Sequence, residues 1–351
     1  MIKITRAIYV IGILCLLVIP LMTVSCGNAT TPDADETGKI LVVTSSFPLY
    51  DFARIIGGEQ AEVVLLTPPG LSPHSFEPTP KHLEIIESAD MFVYSGAGLE
   101  PWVEDVLAGV ENRELLVVNA AEGVTLMKIG DMDVHEHDED IDDHDTDMDE
   151  HVDDGDDTAS EGHADEMDEH SHDHGSYDPH YWLDFENARV QVDNILGGYL
   201  QIDSEHADLY LERTDGYTST IKLLDQMYRD ALAECPDGEL VSAGHFAFGY
   251  MAHRYGLHHR AVFGALHDAE PSPRDLAEMV DYITEHNIKY IVGEEMIDPK
   301  IARTVSGETG AEIVTLNPAG NISKDQMEAG VTFVDLMQEN LKSLKMIVGC
   351  E

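Results

Sequence analysis

The sequence predicts an α/β protein of two parallel-sheet lobes joined by one long rigid helix. Three observations lead there. Short aliphatic and β-branched runs alternate with amphipathic stretches over residues 40–120, the same alternation returns over residues 239–346, and a single helical stripe occupies residues 204–234 between them. Strands that alternate with helices lie parallel in a sheet covered on both faces.

In the first lobe, residues 39–203, the strands are ILVVTS (40–45), AEVVLLT (61–67), MFVYSG (91–96) and LLVVNA (115–120). FARIIGG (52–58), PKHLEIIESA (80–89) and PWVEDVLAGV (101–110) read as helices, and another runs from Asn187 to about Gln201. Asp203 and Ser204 offer an N-cap for the joining helix, 204–234. Its Tyr210, Tyr217, Ile221, Leu224, Tyr228 and Ala231 recur at helical spacing and form one face. At 1.5 Å per residue such a helix reaches ~45 Å, enough to run the height of the molecule. The second lobe, 235–351, repeats the plan with strands ELVSAG (239–244), HRAVFGA (259–265), KYIVGE (289–294) and AEIVTLN (311–317). Its helices fall near 246–255, 273–286, 299–309 and 324–346.

The flanking segments speak of export. Residues 1–26 have the form of a signal peptide: Lys3 and Arg6 precede an apolar run from Ala7 to Met22. Thr23-Val24-Ser25-Cys26 resembles a bacterial lipobox, with Cys26 as the lipidated first residue of the mature chain. An uncleaved anchor is the alternative, although the run is slightly short of the ~20 residues a spanning helix needs. Residues 27–38 (GNATTPDADETG) are a flexible tether. Cys15 leaves with the signal and Cys26 takes lipid, so Cys235 and Cys350 remain in a compartment that permits disulfides. A bridge between them pins the C-terminus to the start of the second lobe; two free thiols are the alternative.

A formal charge of −48 excludes nucleic acid as a partner, because phosphates are repelled, and suits a cationic ligand. Residues 131–174 hold 22 Asp or Glu, 8 His and no Lys or Arg, a composition that cannot build a core. They read as a disordered insertion.

Three histidines occupy corresponding places. His74 follows the AEVVLLT strand through PPGLSPHSFEP, His245 follows ELVSAG directly, and His180 sits in DPHYWLD ahead of a helix. Parallel sheets bind ligands beyond the carboxyl ends of their strands, so all three face the cleft between the lobes. Neutral imidazole is a standard zinc ligand. The remaining histidines of the folded segments, His259 among them, read as structural.

PHSFEPTP around His74, DPHYWLDFENA around His180, SAGHFAFGYMAHRYGL around His245, EPSPRDLAEMV and TLNPAG together resemble the metal-specific solute-binding proteins of ABC importers, in their zinc-uptake branch. The resemblance covers residues 39–350. It implies a monomeric lipoprotein outside the cytoplasm, facing the periplasm or cell exterior. Such a protein carries Zn2+ as its transported ligand and delivers it to a membrane permease with its ATPase. It places the family's first three metal ligands on His74, His180 and His245. The family's fourth ligand, commonly an Asp, falls on Asn317, a weaker neutral donor. Water, a loosely bound Asn317, Glu294 or Glu295 would complete the shell, with water favoured. Manganese-carrying relatives place Glu and Asp where this chain has His245 and Asn317, and loss of both hard carboxylates points to zinc. The acidic insertion, with HEH (135–137) and HSHDH (170–174), is a solvated linker in one reading. In the other it is a weak multivalent zinc collector that raises the local concentration beside His180. The reading from another class is a zinc-dependent hydrolase using three histidines and water, but no HExxH-type motif surrounds the ligands.

Overall fold

The computed structural model describes residues 38–129, 177–233, 235, 238–264, 271–295 and 299–350. The signal segment with Cys26, the tether up to Thr37 and the 131–174 insertion lie outside the described residues.

β-branched runs become strands where the sequence places them. β1 (Ile40–Thr44), β2 (Ala61–Leu65), β3 (Met91–Tyr94) and β4 (Leu116–Asn119) form a parallel sheet in the order β2-β1-β3-β4. β5 (Glu239–His245), β6 (His258–Phe263), β7 (Tyr290–Glu294) and β8 (Glu312–Leu316) form a second, also parallel, in the equivalent order β6-β5-β7-β8. In each sheet the winding reverses beside the first strand, between β1 and β3 and between β5 and β7. Open parallel sheets bind ligands beyond the strand ends at such points.

The helices are α1 (Phe47–Gly57), α2 (Pro80–Glu87), α3 (Val103–Gly109), α4 (Phe185–Ile202), α5 (Ala207–Leu232), α6 (Gly249–Tyr255), α7 (Pro273–Glu285), α8 (Lys300–Thr309), α9 (Lys324–Ala329) and α10 (Phe333–Ile347). Strand alternation sorts the core into layers. Leu41 and Val43 of β1 face outward, packing in one cluster with Ile86 of α2 and Val103 of α3. Val42 faces inward and joins a cluster that includes Phe52, Val192, Ile221, Tyr228, Met251 and Leu336. That inner cluster draws on α1, α4, α5, α6 and α10, so the two lobes share one core around the joining helix. Polar contacts reinforce it. Asp51 of α1 accepts the Phe333 N–H at 2.9 Å, and Tyr228 of α5 donates to the Met337 carbonyl at 2.6 Å. Arg254 of α6 pairs with Asp225 of α5 at 2.7 Å and with Asp184, the N-cap of α4, at 2.8 Å.

Three elements differ from expectation, each for a local reason. α1 begins five residues early, at Phe47, because Pro48 in its first turn has a helical φ and needs no N–H partner there. The Asp203-Ser204 cap is replaced by a 3-10 turn at Ser204–His206, after which α5 starts at Ala207. Asp203 instead accepts from the His206 ring at 2.7 Å and the Tyr210 hydroxyl at 2.6 Å. The expected 324–346 helix is split: Gly330 ends α9 at φ 71°, and Thr332 opens α10 with a capping box to Asp335.

Cys235 and Cys350 form a disulfide with their Cα atoms 5.9 Å apart, fastening the chain end to the entrance of the second lobe.

Candidate metal centre

Each expected histidine reaches the cleft by a different route. His245 is the last residue of β5, beside the winding reversal of its sheet. His74 lies in a 3-10 turn, Pro73–Ser75, after the proline-rich loop that leaves β2. His180 precedes a 3-10 turn, Tyr181–Leu183, that leads into α4.

Their ring nitrogens converge. His74 Nε2 lies 3.0 Å from His180 Nε2, which lies 3.1 Å from His245 Nε2. Among the described His, Cys, Asp and Glu residues, these three form the group whose ligand atoms lie within 4.8 Å of one another. His180 and His245 are 2% and 5% exposed, while His74 is half-buried.

Carboxylates behind two of the rings decide which nitrogen carries hydrogen. Asp178 Oδ1 accepts the His180 backbone N–H at 2.9 Å and lies 2.7 Å from its Nδ1. Glu294 Oε1 accepts the His245 backbone N–H at 2.8 Å, and its Oε2 lies 2.7 Å from His245 Nδ1. A carboxylate beside each Nδ1 favours the tautomer with hydrogen there, which leaves the Nε2 lone pairs for the centre. Two lone pairs facing each other at 3.1 Å repel unless a cation lies between them. Nitrogens bound to one tetrahedral zinc at ~2.0–2.1 Å stand about 3.3 Å apart, so the donor set fits that ion.

Burial, helped by the charge of His245, holds His180 well below the ordinary histidine range, which keeps it neutral as a ligand must be. Burial also pushes Asp178 up to about 8, against the His180 N–H and His245, which favour its ionised form. A dication on the far side of the imidazole acts in the same direction as those two.

The cavity beside the rings is small, about 40 Å³, and its other walls include Leu71, Pro73, Trp182, Pro318 and Gly320. It has room for water.

The fourth-ligand candidates also make contacts of their own. Glu294 braces His245 and lines the cavity beside the three rings. Asn317 donates from Nδ2 to Glu295 Oε2 at 2.6 Å, and its Oδ1 accepts the Ala319 N–H at 2.7 Å. Glu295 also accepts from Gln326 at 2.8 Å. Gly244 explains how Glu294 comes so close: a Cβ at Gly244 would collide with the Glu294 carboxylate. Sequence reasoning passed over Asp178, although its signal, an acid two residues before His180 in DPH, was legible.

Replacing Glu294 by glutamine is expected to weaken zinc binding roughly 10–100-fold, because the ring loses its charged anchor while the ligand remains. Competition titration measures it. An unchanged affinity would mean that Glu294 does not tune His245.

Two parallel lobes closing on a buried imidazole centre define a two-lobed metal-binding receptor. The chain belongs to the family described as zinc-uptake complex component A, periplasmic, whose model matches residues 42–347. It is 34% identical over 327 residues to the high-affinity zinc uptake system protein ZnuA of Bacillus subtilis (strain 168), covering 93% of each chain. It is 32% identical over 315 residues to the zinc-binding protein AdcA of Streptococcus pyogenes serotype M3. That match takes in 88% of this chain but only 56% of AdcA, so this chain spans little more than half of that relative. Among solved structures it is similar to the Zn(II)-bound ZnuA-like domain of Streptococcus pneumoniae AdcA, with a TM-score of 0.68 and 27% identity. There the match covers 89% of this chain and 99% of that one. The resemblance read from the sequence motifs is thereby borne out.

Proposed function

We propose that the protein captures zinc outside the cytoplasm and hands it to the membrane permease of an ABC importer, driven by the importer's ATPase. His74, His180 and His245 hold the ion through Nε2, and water takes the fourth position with Asn317 nearby. The observation that carries this reading is the convergence of three imidazoles, with His180 Nε2 3.0 Å from His74 Nε2 and 3.1 Å from His245 Nε2. Imidazole donors without a carboxylate in the shell suit zinc over manganese. Family membership supplies the importer.

A hydrolase needs space for an organic substrate beside the metal-bound water. A cavity of about 40 Å³ is small for one, and the relatives named above are zinc-uptake and zinc-binding proteins, which supports binding over hydrolysis. Binding without catalysis is the favoured reading. We further propose that residues 1–26 direct export, that Cys26 carries the lipid anchor, that the protein works as a monomer, and that residues 131–174 collect zinc weakly for transfer to His180.

Titration of the protein lacking its signal, against a competing chelator, is expected to show one tight zinc site and several weak ones. Deleting residues 131–174 is expected to remove only the weak class. Loss of the tight site on that deletion would overturn the assignment of the three histidines.

A further inference from the structure

Residues 318–322 belong to the second lobe, between β8 and α9, yet several of their hydrogen bonds go to the first. Phe47 N–H donates to the Gly320 carbonyl at 3.2 Å, Gly70 N–H to the Ile322 carbonyl at 2.9 Å, and the Trp182 indole to the Pro318 carbonyl at 2.8 Å. Asn321 adds the side-chain link. Its Nδ2 donates to the carbonyls of Pro68 at 2.8 Å and Leu71 at 2.6 Å, while its Oδ1 accepts the Ile322 N–H at 2.8 Å. Acceptors on both sides of the amide nitrogen leave only one amide orientation that satisfies every group.

Asn321 is 4% exposed and lines the cavity beside the three histidines. Pro68 and Leu71 lie in the loop that carries His74. The same turn closes tightly there: a Cβ on Gly320 would stand 3.2 Å from Pro73 Cγ and 3.5 Å from the Trp182 ring. The His74 loop thus meets the opposite lobe at the cavity, and Asn321 is the second-lobe side chain that bonds that loop.

We propose that Asn321 is the latch of the cavity, a positioning residue whose two hydrogen bonds must break before the ion can leave, so that it sets the rate of zinc release. This rests on the reading of the cavity as a zinc site. The latch acts through the His74 loop and not on the ion, so its removal speeds exchange without deleting a ligand.

Stopped-flow transfer of zinc from the loaded protein to a chelator tests it. Asn321→Ala deletes the latch. Asn321→Asp keeps the oxygen on the Ile322 N–H but sets a second oxygen against two carbonyls. Asn194→Ala is the matched control, because Asn194 Nδ2 also donates to two carbonyls, Ala120 at 3.1 Å and Glu122 at 2.9 Å, wholly within the first lobe. Both Asn321 variants are expected to bind zinc stoichiometrically and release it on the order of tenfold faster or more, from the loss of two hydrogen bonds. Asn194→Ala is expected to release at the wild-type rate despite a comparable fall in Tm. Wild-type release rates in both Asn321 variants overturn the latch, as does equal acceleration in Asn194→Ala. Failure of the Asn321 variants alone to take up zinc also overturns it, making the residue part of the site's framework. If wild-type protein itself takes up no zinc, the zinc reading of the cavity falls, and the latch with it.

Discussion

With His245 replaced by alanine, the protein is expected to lose tight zinc binding and the thermal protection that comes with it. Removing this ring leaves two protein ligands and opens a water path at the centre of the site, while Glu294 loses the group it braces. A ligand at ~1,000 times its dissociation constant stabilises a fold by about 4 kcal/mol, so wild-type protein should melt well above its chelator-treated form when zinc is added. The alanine variant should show almost no zinc-dependent shift. Manganese should barely move the wild type, since imidazoles serve it poorly. Differential scanning calorimetry with each metal reads all of this. Equal stabilisation of wild type by manganese and zinc would sink the zinc assignment.

The second large effect is acid lability of the metal-free fold, traced to a residue outside the ligand set. His259 of β6 is half-buried against the Phe246 ring, with centroids 4.3 Å apart, and its Nε2 lies 2.9 Å from Ser242 Oγ. Its buried Nδ1 has no hydrogen-bond partner among the described residues. Burial, then the positive charge that His245 and His180 carry when protonated, hold its pKa down to about 3, whereas an unfolded histidine titrates near ~6.5. Between those values the unfolded chain binds one more proton than the folded one. Stability is therefore full above the unfolded pKa and is lost as pH falls toward the folded pKa, by about 1.4 kcal/mol per pH unit. His180, also held low by burial, adds in the same direction. Asp178, Asp51 and Glu100, all raised by burial, oppose this across the same window, so the His259 part is read between pH 6.5 and pH 4 from the urea midpoints of chelator-treated wild type against His259→Gln. In His259→Gln the slope should shrink by about one proton. Parallel slopes for the two proteins would show that His259 does not drive the loss.

Much of this was legible before any coordinates. Alternation of runs such as AEVVLLT and KYIVGE with amphipathic stretches located all the strands of the described residues, because a strand buried on both faces leaves a continuous apolar signature. The three histidines were legible because each follows a strand end or leads into a helix, where parallel sheets open to ligands. What lay beyond reach were contacts between segments distant in the chain. The shared core around α5 depends on how two sheets face each other, and helical periodicity in Tyr210 or Tyr228 says only that a face is buried. Glu294 was singled out as a possible ligand; its contact with the His245 backbone and ring, set by the close approach that Gly244 permits, was not legible. At Asn317 the family pattern suggests that an aspartate would add a ligand. In the folded protein that side chain meets Glu295, so an acid there would place two carboxylates at hydrogen-bond distance.

The single core that both lobes share around α5 bears on how a transporter could tell a laden carrier from a spent one. A joint cemented by Phe52, Tyr228 and Leu336, and tied by Arg254 to α4 and α5, resists the wide clamshell motion by which other receptors advertise their cargo. Cargo can bias docking only as far as the two forms differ in contact with the transporter. Were the outline nearly the same in both, discrimination would come from small shifts at the rim, around residues 68–74 and 318–322. Empty carriers would then contend with full ones for the same berth, and import would slow when receptors greatly outnumber zinc.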